Sequence, residues 1–174
     1  LFSTLLANAD ELYNLDPNHS GVFFRIKHFD IGYTYGYFSD LNGKITINNQ
    51  PTTIQFSIPL ASIDTNNTKR DQHLLGPDFF NAKQFPLITF ESTAITPIDA
   101  DTFSVSGNLS LNGITNPISI ELEQTGKGND PWGNHKVGYE TNITLKRSDY
   151  GVSHMLNSVS DEVHVMVGLE AIKQ

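Results

Sequence analysis

The chain has 174 residues, enough for one domain with a sizeable core. Hydrophobic residues make up 38% and charged residues 17%, which excludes a disordered or fibrous chain. Eleven Lys plus Arg against 19 Asp plus Glu argue against nucleic acid, whose phosphates need clustered positive charge, and the lack of cysteine excludes disulfides, thiolate metal ligands and thiol nucleophiles.

In chain order, LFSTLLANADELYNLD opens apolar, and Ala7-Asn8-Ala9 ahead of Asp10-Glu11 has the small-residue pattern of a bacterial secretory cleavage site. Residues 1–9 are expected to be a signal-peptide remnant or a short N-terminal helix, and 10–174 a single domain. No later run approaches the roughly 18 apolar residues of a membrane span. Asp16 and His19 in NLDPNHS are expected to cap the turn into the first strand. Val22, Phe24 and Ile26 alternate with Phe23, Arg25 and Lys27, and Tyr33, Tyr35 and Tyr37 oppose Thr34, Gly36 and Phe38. Asn42-Gly43 carries a strong hairpin-turn signal leading to Ile45 and Ile47. Ile54, Phe56, Ile58 and Leu60 form a further alternating run, and Ile88 and Phe90 another. Phe103, Val105, Leu109 and Leu111 share a face, Asn112-Gly113 turns the chain, and Ile118, Ile120 and Leu122 return. The Gly, Asn, Asp and Pro-rich stretch 126–135 reads as a long exposed loop holding the only tryptophan, Trp132. Ile143 and Leu145, then Val163, Val165, Val167 and Leu169, complete the series.

These are about eight strands with short turns and one helical interruption near Asp71 to Asn81. The expected fold is all-β: an eight-stranded antiparallel barrel with a short helical or loop lid, with a two-sheet sandwich as the alternative. An eight-stranded barrel is just wide enough to be filled by side chains or to hold one small ligand.

The stretch DQHLLGPDFFNAKQFPLITF, residues 71–90, does not fit the usual polarity of loops. Gly76, Pro77 and Pro86 break it, yet it carries Leu74, Leu75, Phe79, Phe80 and Phe85. That apolar surface has to be buried, either as a plug in the end of a core or as the mouth of an apolar cavity. Phenylalanine has no hydrogen-bonding atom, so Phe24, Phe56, Phe79, Phe80, Phe85 and Phe90 together would give a dry lining.

Catalytic signals are weak: there is no G-x-S-x-G turn, no H-E-x-x-H pair and no glycine-rich phosphate loop after a strand. The six histidines are scattered. His28, His73 and His164 are free to meet inside a barrel, but histidines hydrogen-bonded within strands or at the rim are the more ordinary outcome, and no metal or cofactor is expected. In LKRSDYG, Arg147 reads either as a head-group anchor or as the partner of Asp149 or Asp161 at a strand end.

The ordered motifs resemble the YceI-like family of secreted polyisoprenoid-binding proteins. YNLDPNHSGVFFRIKHFDIGYTYGYFSDLNGKI (13–45) is similar to that family's opening pattern, with its G-x-F element as Gly36-Tyr37-Phe38. TKRDQHLLGPDFFNAKQFPLITFEST (68–93) resembles its most characteristic stretch, and GNLSLNGITNPI (107–118) its central hairpin. TLKRSDYGV (144–152) and SDEVHVMVGLEA (160–171) resemble the closing strands, with Tyr150 where the family more often has phenylalanine.

The resemblance implies a lipocalin-like barrel in the bacterial periplasm whose tunnel holds an isoprenoid, quinone-like or fatty-acyl lipid, with a lean towards a homodimer. The inward positions expected to line it are Phe24, Ile26, Phe56, Ile58 and Phe90, then Val105, Leu109, Ile120, Ile143, Val165 and Val167. Leu75, Phe79, Phe80 and Phe85 are expected to line or close the mouth, and His28, His73 and Arg147 are the candidate head-group contacts. A non-enzymatic carrier or store is the leading reading. A lipid isomerase or cyclase using the same tunnel and a packed structural barrel are its rivals.

Overall fold

The computed structural model describes residues 9–174. The expected signal remnant or N-terminal helix lies outside the described residues except at Ala9.

Period-2 alternation builds eight antiparallel staves, the first three each broken in two. The first is β1 (Glu11–Leu15) followed in line by β2 (Gly21–His28), the second β3 (Gly32–Phe38) followed by β4 (Asn42–Asn48), and the third β5 (Gln50–Pro59) followed by β6 (Ile63–Asp64). The lid segment comes next, and then the unbroken β7 (Leu87–Pro97), β8 (Thr102–Leu111), β9 (Ile114–Asn129), β10 (His135–Lys146) and β11 (Val159–Lys173). Each stave pairs antiparallel with the next in sequence, and β11 returns to pair with both β1 and β2. The barrel is therefore closed, which rules out the sandwich; only at the lid end, where β6 reaches no further than Tyr37 and Phe38 of β3, is Gly32–Gly36 of β3 paired on one side alone, by β2.

The connections alternate between two ends. At the lid end lie the 29–31 hairpin, the lid itself, the turn at Asn112 and Gly113, and the β10–β11 loop; at the base lie the turn at Asn49, the 98–101 turn and the 130–134 loop.

Several sequence expectations need correction. The strand β1 was not anticipated, although Tyr13 and Leu15 alternate inward. Asn42-Gly43 is not a turn but the start of β4; a Cβ at Gly43 would come within 2.9 Å of Leu15 and Phe56, so glycine serves close packing there. The actual reversal uses Asn49, which takes the left-handed φ of 65°. The loop expected at 126–135 shrinks to 130–134, because Gly126 and Gly128 continue β9 in register with Gly138 and Lys136 of β10. Trp132 is exposed there as expected. Asn112-Gly113 does turn the chain, with φ of 52° and 76°.

Tyr33, Tyr35 and Tyr37 point outward, while Phe38 points in. At the base, the inward residues meet in a packed floor: Ile45, Val105 and Ala171 have no exposed surface, and Phe103, Val137 and Tyr139 pack with them. Burial raises the Tyr139 hydroxyl pKa, and that oxygen has no hydrogen-bond partner among the described residues.

Where β1 breaks from β2, Asp16 is buried and caps the turn as expected, accepting from the Asn18 N–H at 3.1 Å and bonded to His19 Nδ1 at 2.8 Å. It also receives Lys136 Nζ at 3.1 Å, which reaches Glu170 at 2.7 Å. The His19 bond, then those from Lys136 and Asn18, hold the Asp16 carboxyl below its ordinary value against desolvation. A depressed folded pKa contributes stability that is present above the unfolded carboxylate value of about 3.9 and is lost as pH falls through the folded value. Asp16→Asn is therefore expected to cost about 1–2 kcal/mol near neutral pH. Urea unfolding at a series of pH values should show that difference shrinking below about pH 4.

Candidate functional site

Above the packed floor the barrel is hollow. The cavity measures about 360 Å³, within the roughly 300–1,000 Å³ range of small-molecule sites. A core without a continuous void, which the packed-barrel reading needs, is not what the fold contains.

Alternation places its wall. Phe24 and Ile26 come from β2, Phe56 and Ile58 from β5, Phe90 from β7 and Leu109 from β8. Ile120, Ile143, Val165 and Val167 complete the opposite side from β9, β10 and β11. Phe56 and Phe90 are partners in register and stack with ring centroids 5.2 Å apart. Gly36, opposite Phe24 in β3, makes room for that ring, since a Cβ at Gly36 would run into it and into Thr65. This gives the G-x-F element a steric reason.

The lid explains the apolar loop. Its helix α1 (Thr68–Leu74) starts earlier and ends sooner than the sequence suggested, capped by Asn67, whose side chain accepts from the Arg70 N–H at 3.0 Å. Asp71 holds the helix to the barrel by accepting from the Thr65 N–H at 3.0 Å and hydroxyl at 2.5 Å, and Arg70 donates to the Thr65 hydroxyl at 2.7 Å and also to its carbonyl. After the helix the chain folds back on itself through Phe80 N–H to Leu74 C=O at 3.0 Å and Asn81 N–H to Gly76 C=O at 2.8 Å. Phe79 and Phe80 thereby line the cavity, with Phe79 buried.

Three expected lining residues lie elsewhere. Val105 belongs to the packed floor, because its height on β8 is two inward positions below Leu109. Leu75 packs on the core from outside the cavity. Phe85 braces the lid against the β8–β9 turn; a Cβ on Gly113, which already needs φ of 76°, would sit 2.5 Å from its ring.

The polar lining residues gather at the lid end: His28, Thr34, Thr65, Arg70, His73, Arg147 and Tyr150. The exception, Thr141, is satisfied by donating to the Glu121 carbonyl at 2.6 Å. Of these polar residues, Thr34, Thr65, Arg70 and Thr141 were not singled out: Thr34 and Thr141 take inward strand positions on β3 and β10, whereas Thr65 follows β6 and Arg70 lies on α1, where no strand period says which side chain faces in.

Arg147 follows neither expectation of a carboxylate partner nor that of a free anchor. Its guanidinium donates to four backbone carbonyls, Ser160 at 2.9 Å, Val152 at 2.8 Å, His154 at 2.7 Å and Val159 at 2.8 Å. Asp161 instead accepts from Ser148, at 2.9 Å from its N–H and 2.7 Å from its hydroxyl. Arg147 is a brace that folds the β10–β11 loop over the mouth, and burial lowers its pKa against the opposing charge of Asp161. Arg147→Met would orphan those carbonyls, and chemical denaturation should show a loss of about 2–4 kcal/mol. A loss below about 1 kcal/mol would mean water replaces the guanidinium without cost.

Tyr150 also lines the cavity, and burial raises the pKa of its hydroxyl, with the hydrogen bond to Asn116 opposing. The three histidines considered as a metal set do not converge: His164 is bonded to Thr144 on the outer wall at 3.0 Å, while His28 packs on Phe29 at the rim, 4.3 Å between ring centroids.

Residues 13–171 match the YceI-like domain. The chain is 38% identical over 169 residues to a UPF0312 protein of Pseudomonas paraeruginosa, covering 95% of this chain and 88% of that one. It is also 38% identical over 168 residues to a UPF0312 protein of Yersinia pestis, with 95% and 87% covered. Among solved structures it is similar to the Campylobacter jejuni YCEI protein, with a TM-score of 0.78, 29% identity, and 85% and 90% of the two chains covered. The fold is shared with Burkholderia cenocepacia BcnA, at a TM-score of 0.80, 23% identity, and 90% and 98% covered. It is shared too with a polyisoprenoid binding domain from Saccharophagus degradans, at a TM-score of 0.75, 19% identity, and 93% and 98% covered.

Proposed function

The chain belongs to the YceI-like domain family, and from that premise we propose that it binds an isoprenoid or related long-chain lipid, quinone-like and fatty-acyl chains included, and stores or carries it without chemical change. The observation that carries this is the polarity of the cavity: an apolar barrel wall, with nearly every polar lining group at the lid end. A ligand with an apolar tail and a polar end fits it in one direction only, tail towards the floor. Burial is worth about 0.8 kcal/mol per CH₂, so roughly ten buried methylenes supply about 8 kcal/mol before the cost of immobilising the chain. Apolar contact is therefore strong enough to hold a lipid, and catalysis is not required. The polyisoprenoid binding named for the Saccharophagus neighbour supports the same ligand class.

The secretory pattern at Ala7 to Ala9 supports a periplasmic location, and among the described residues no helix is long and apolar enough to cross a membrane. A homodimer is supported by the exposed outer face of β2, β3 and β11, where Phe23, Tyr35, Tyr37 and Met166 form an apolar patch. Organic extraction of protein purified from its natural host, followed by mass spectrometry, tests the function. A bound lipid is expected, together with saturable uptake of a fluorescent isoprenoid by the delipidated protein. Absence of both removes the reading.

A further inference from the structure

We propose that His73, Asp78 and His154 form a site for a divalent transition-metal ion of the zinc type, which clamps the lid to the β10–β11 loop across the barrel mouth. His73 lies in the last turn of α1 and Asp78 in the turn after it, while His154 belongs to the loop that Arg147 braces. One donor atom from each lies within 4.8 Å of the other two, and His73 Nε2 is 3.6 Å from Asp78 Oδ2.

The two imidazoles are held on either side of a common support. Phe79 meets the His73 ring edge-on at 5.0 Å and the His154 ring at 5.2 Å, and the two histidine rings are 5.9 Å apart. Phe79 is buried, so it fixes both rings from below while all three donor residues stay exposed to solvent. Metal bonds of about 2.0–2.2 Å in a tetrahedral site place donor atoms roughly 3.3–3.6 Å apart. The present separations, 3.6 Å for His73 and Asp78 and no more than 4.8 Å for any pair, exceed that by little more than an ångström, a distance that turning of exposed side chains can span. Two imidazoles and a carboxylate suit Zn(II), Co(II) or Ni(II), whereas Ca(II) and Mg(II) require oxygen ligands throughout.

A second group with comparable spacing, Asp16, His19 and Glu170, is a poor rival. The Lys136 ammonium already sits 3.1 Å from Asp16 and 2.7 Å from Glu170, so a cation would have to displace it. Nothing similar occupies the lid site among the described residues. An ion there bridges two segments separated by most of the barrel's second half in sequence, and opening the lid would require breaking a metal bond. Binding confined to the folded state also raises stability. The metal site stands independently of the lipid reading; only its effect on ligand exchange rests on that reading.

The test is titration of tag-free protein with zinc by calorimetry and with cobalt by visible absorption, on wild type, His73→Ala, His154→Ala and His19→Ala. Wild type and His19→Ala should bind one ion per chain and melt at a higher temperature with zinc. His154→Ala, whose exposed side chain has no part in the core, should melt like wild type without zinc but lose affinity by roughly 10–100-fold or more, as His73→Ala should. Zinc binding that is undiminished in His154→Ala, that disappears in His19→Ala, or that does not saturate in wild type overturns the proposal.

Discussion

Val105→Asp is expected to abolish folding. Val105 has no exposed surface and sits on β8 between Ile95 of β7 and Ile120 of β9, in the floor that closes the barrel below the cavity. A carboxylate there would meet no donor and no solvent, and burying it costs several kcal/mol even when it is protonated. The whole stability of a domain this size is about 5–15 kcal/mol. Circular dichroism of the variant should show no cooperative transition, or one shifted down by tens of degrees. Phe56→Asp makes the informative contrast. Phe56 faces the same interior but borders the hollow and is only partly buried, so water entering an empty cavity can solvate the new carboxylate. Its thermal loss should be clearly smaller than that of Val105→Asp, measured without ligand. Equal losses would mean that the cavity collapses around the substitution and that floor and wall are one packed core.

That contrast marks the limit of what the sequence could say. Period-2 alternation tells which residues of a strand face inward, and it placed Phe24, Ile26, Phe56, Ile58 and Phe90 on the cavity wall. It carries no information about height, so Val105 and Leu109, on one strand and one face, looked equivalent although one packs the floor and the other lines the void. Breaks within a stave were misread for a related reason. Asn-Gly is favoured wherever φ is positive, but at Asn42-Gly43 the glycine is needed for the approach of Leu15 and Phe56 from the neighbouring staves, a contact distant in sequence. Likewise Gly126 and Gly128 look like loop residues locally, and only pairing with β10 keeps them extended. The partners of Arg147 were illegible because backbone carbonyls have no residue identity. Any nearby aspartate looked a better candidate than the loop it encloses. The apolar lid, by contrast, was visible because a polar loop is the rule and this one breaks it.

The lid carries the other large expected effect. Phe79→Asp with Phe80→Asp should reduce lipid retention by at least tenfold while leaving a cooperative fold, because each phenylalanine gives up about 1.5–3 kcal/mol of apolar contact that a ligand would otherwise share. Phe79 is itself buried, so some stability will be lost; the comparison is one of proportion. The lid backbone is held independently by Asn67, by Asp71 on Thr65 and by the return bonds to Leu74 and Gly76, none of which involves the two aromatic side chains. The staves are held by their own ladders. Melting temperature and bound lipid should be measured on the delipidated and reloaded protein with a chelator present, so that any loss of an ion supported by the Phe79 ring does not enter the comparison. If the double variant melts as low as Val105→Asp, the two phenylalanines are part of the core that holds the barrel together, and the segment is a plug whose apolar character serves folding alone. If instead it folds and no longer retains lipid, the apolar loop exists because the barrel has something to keep in.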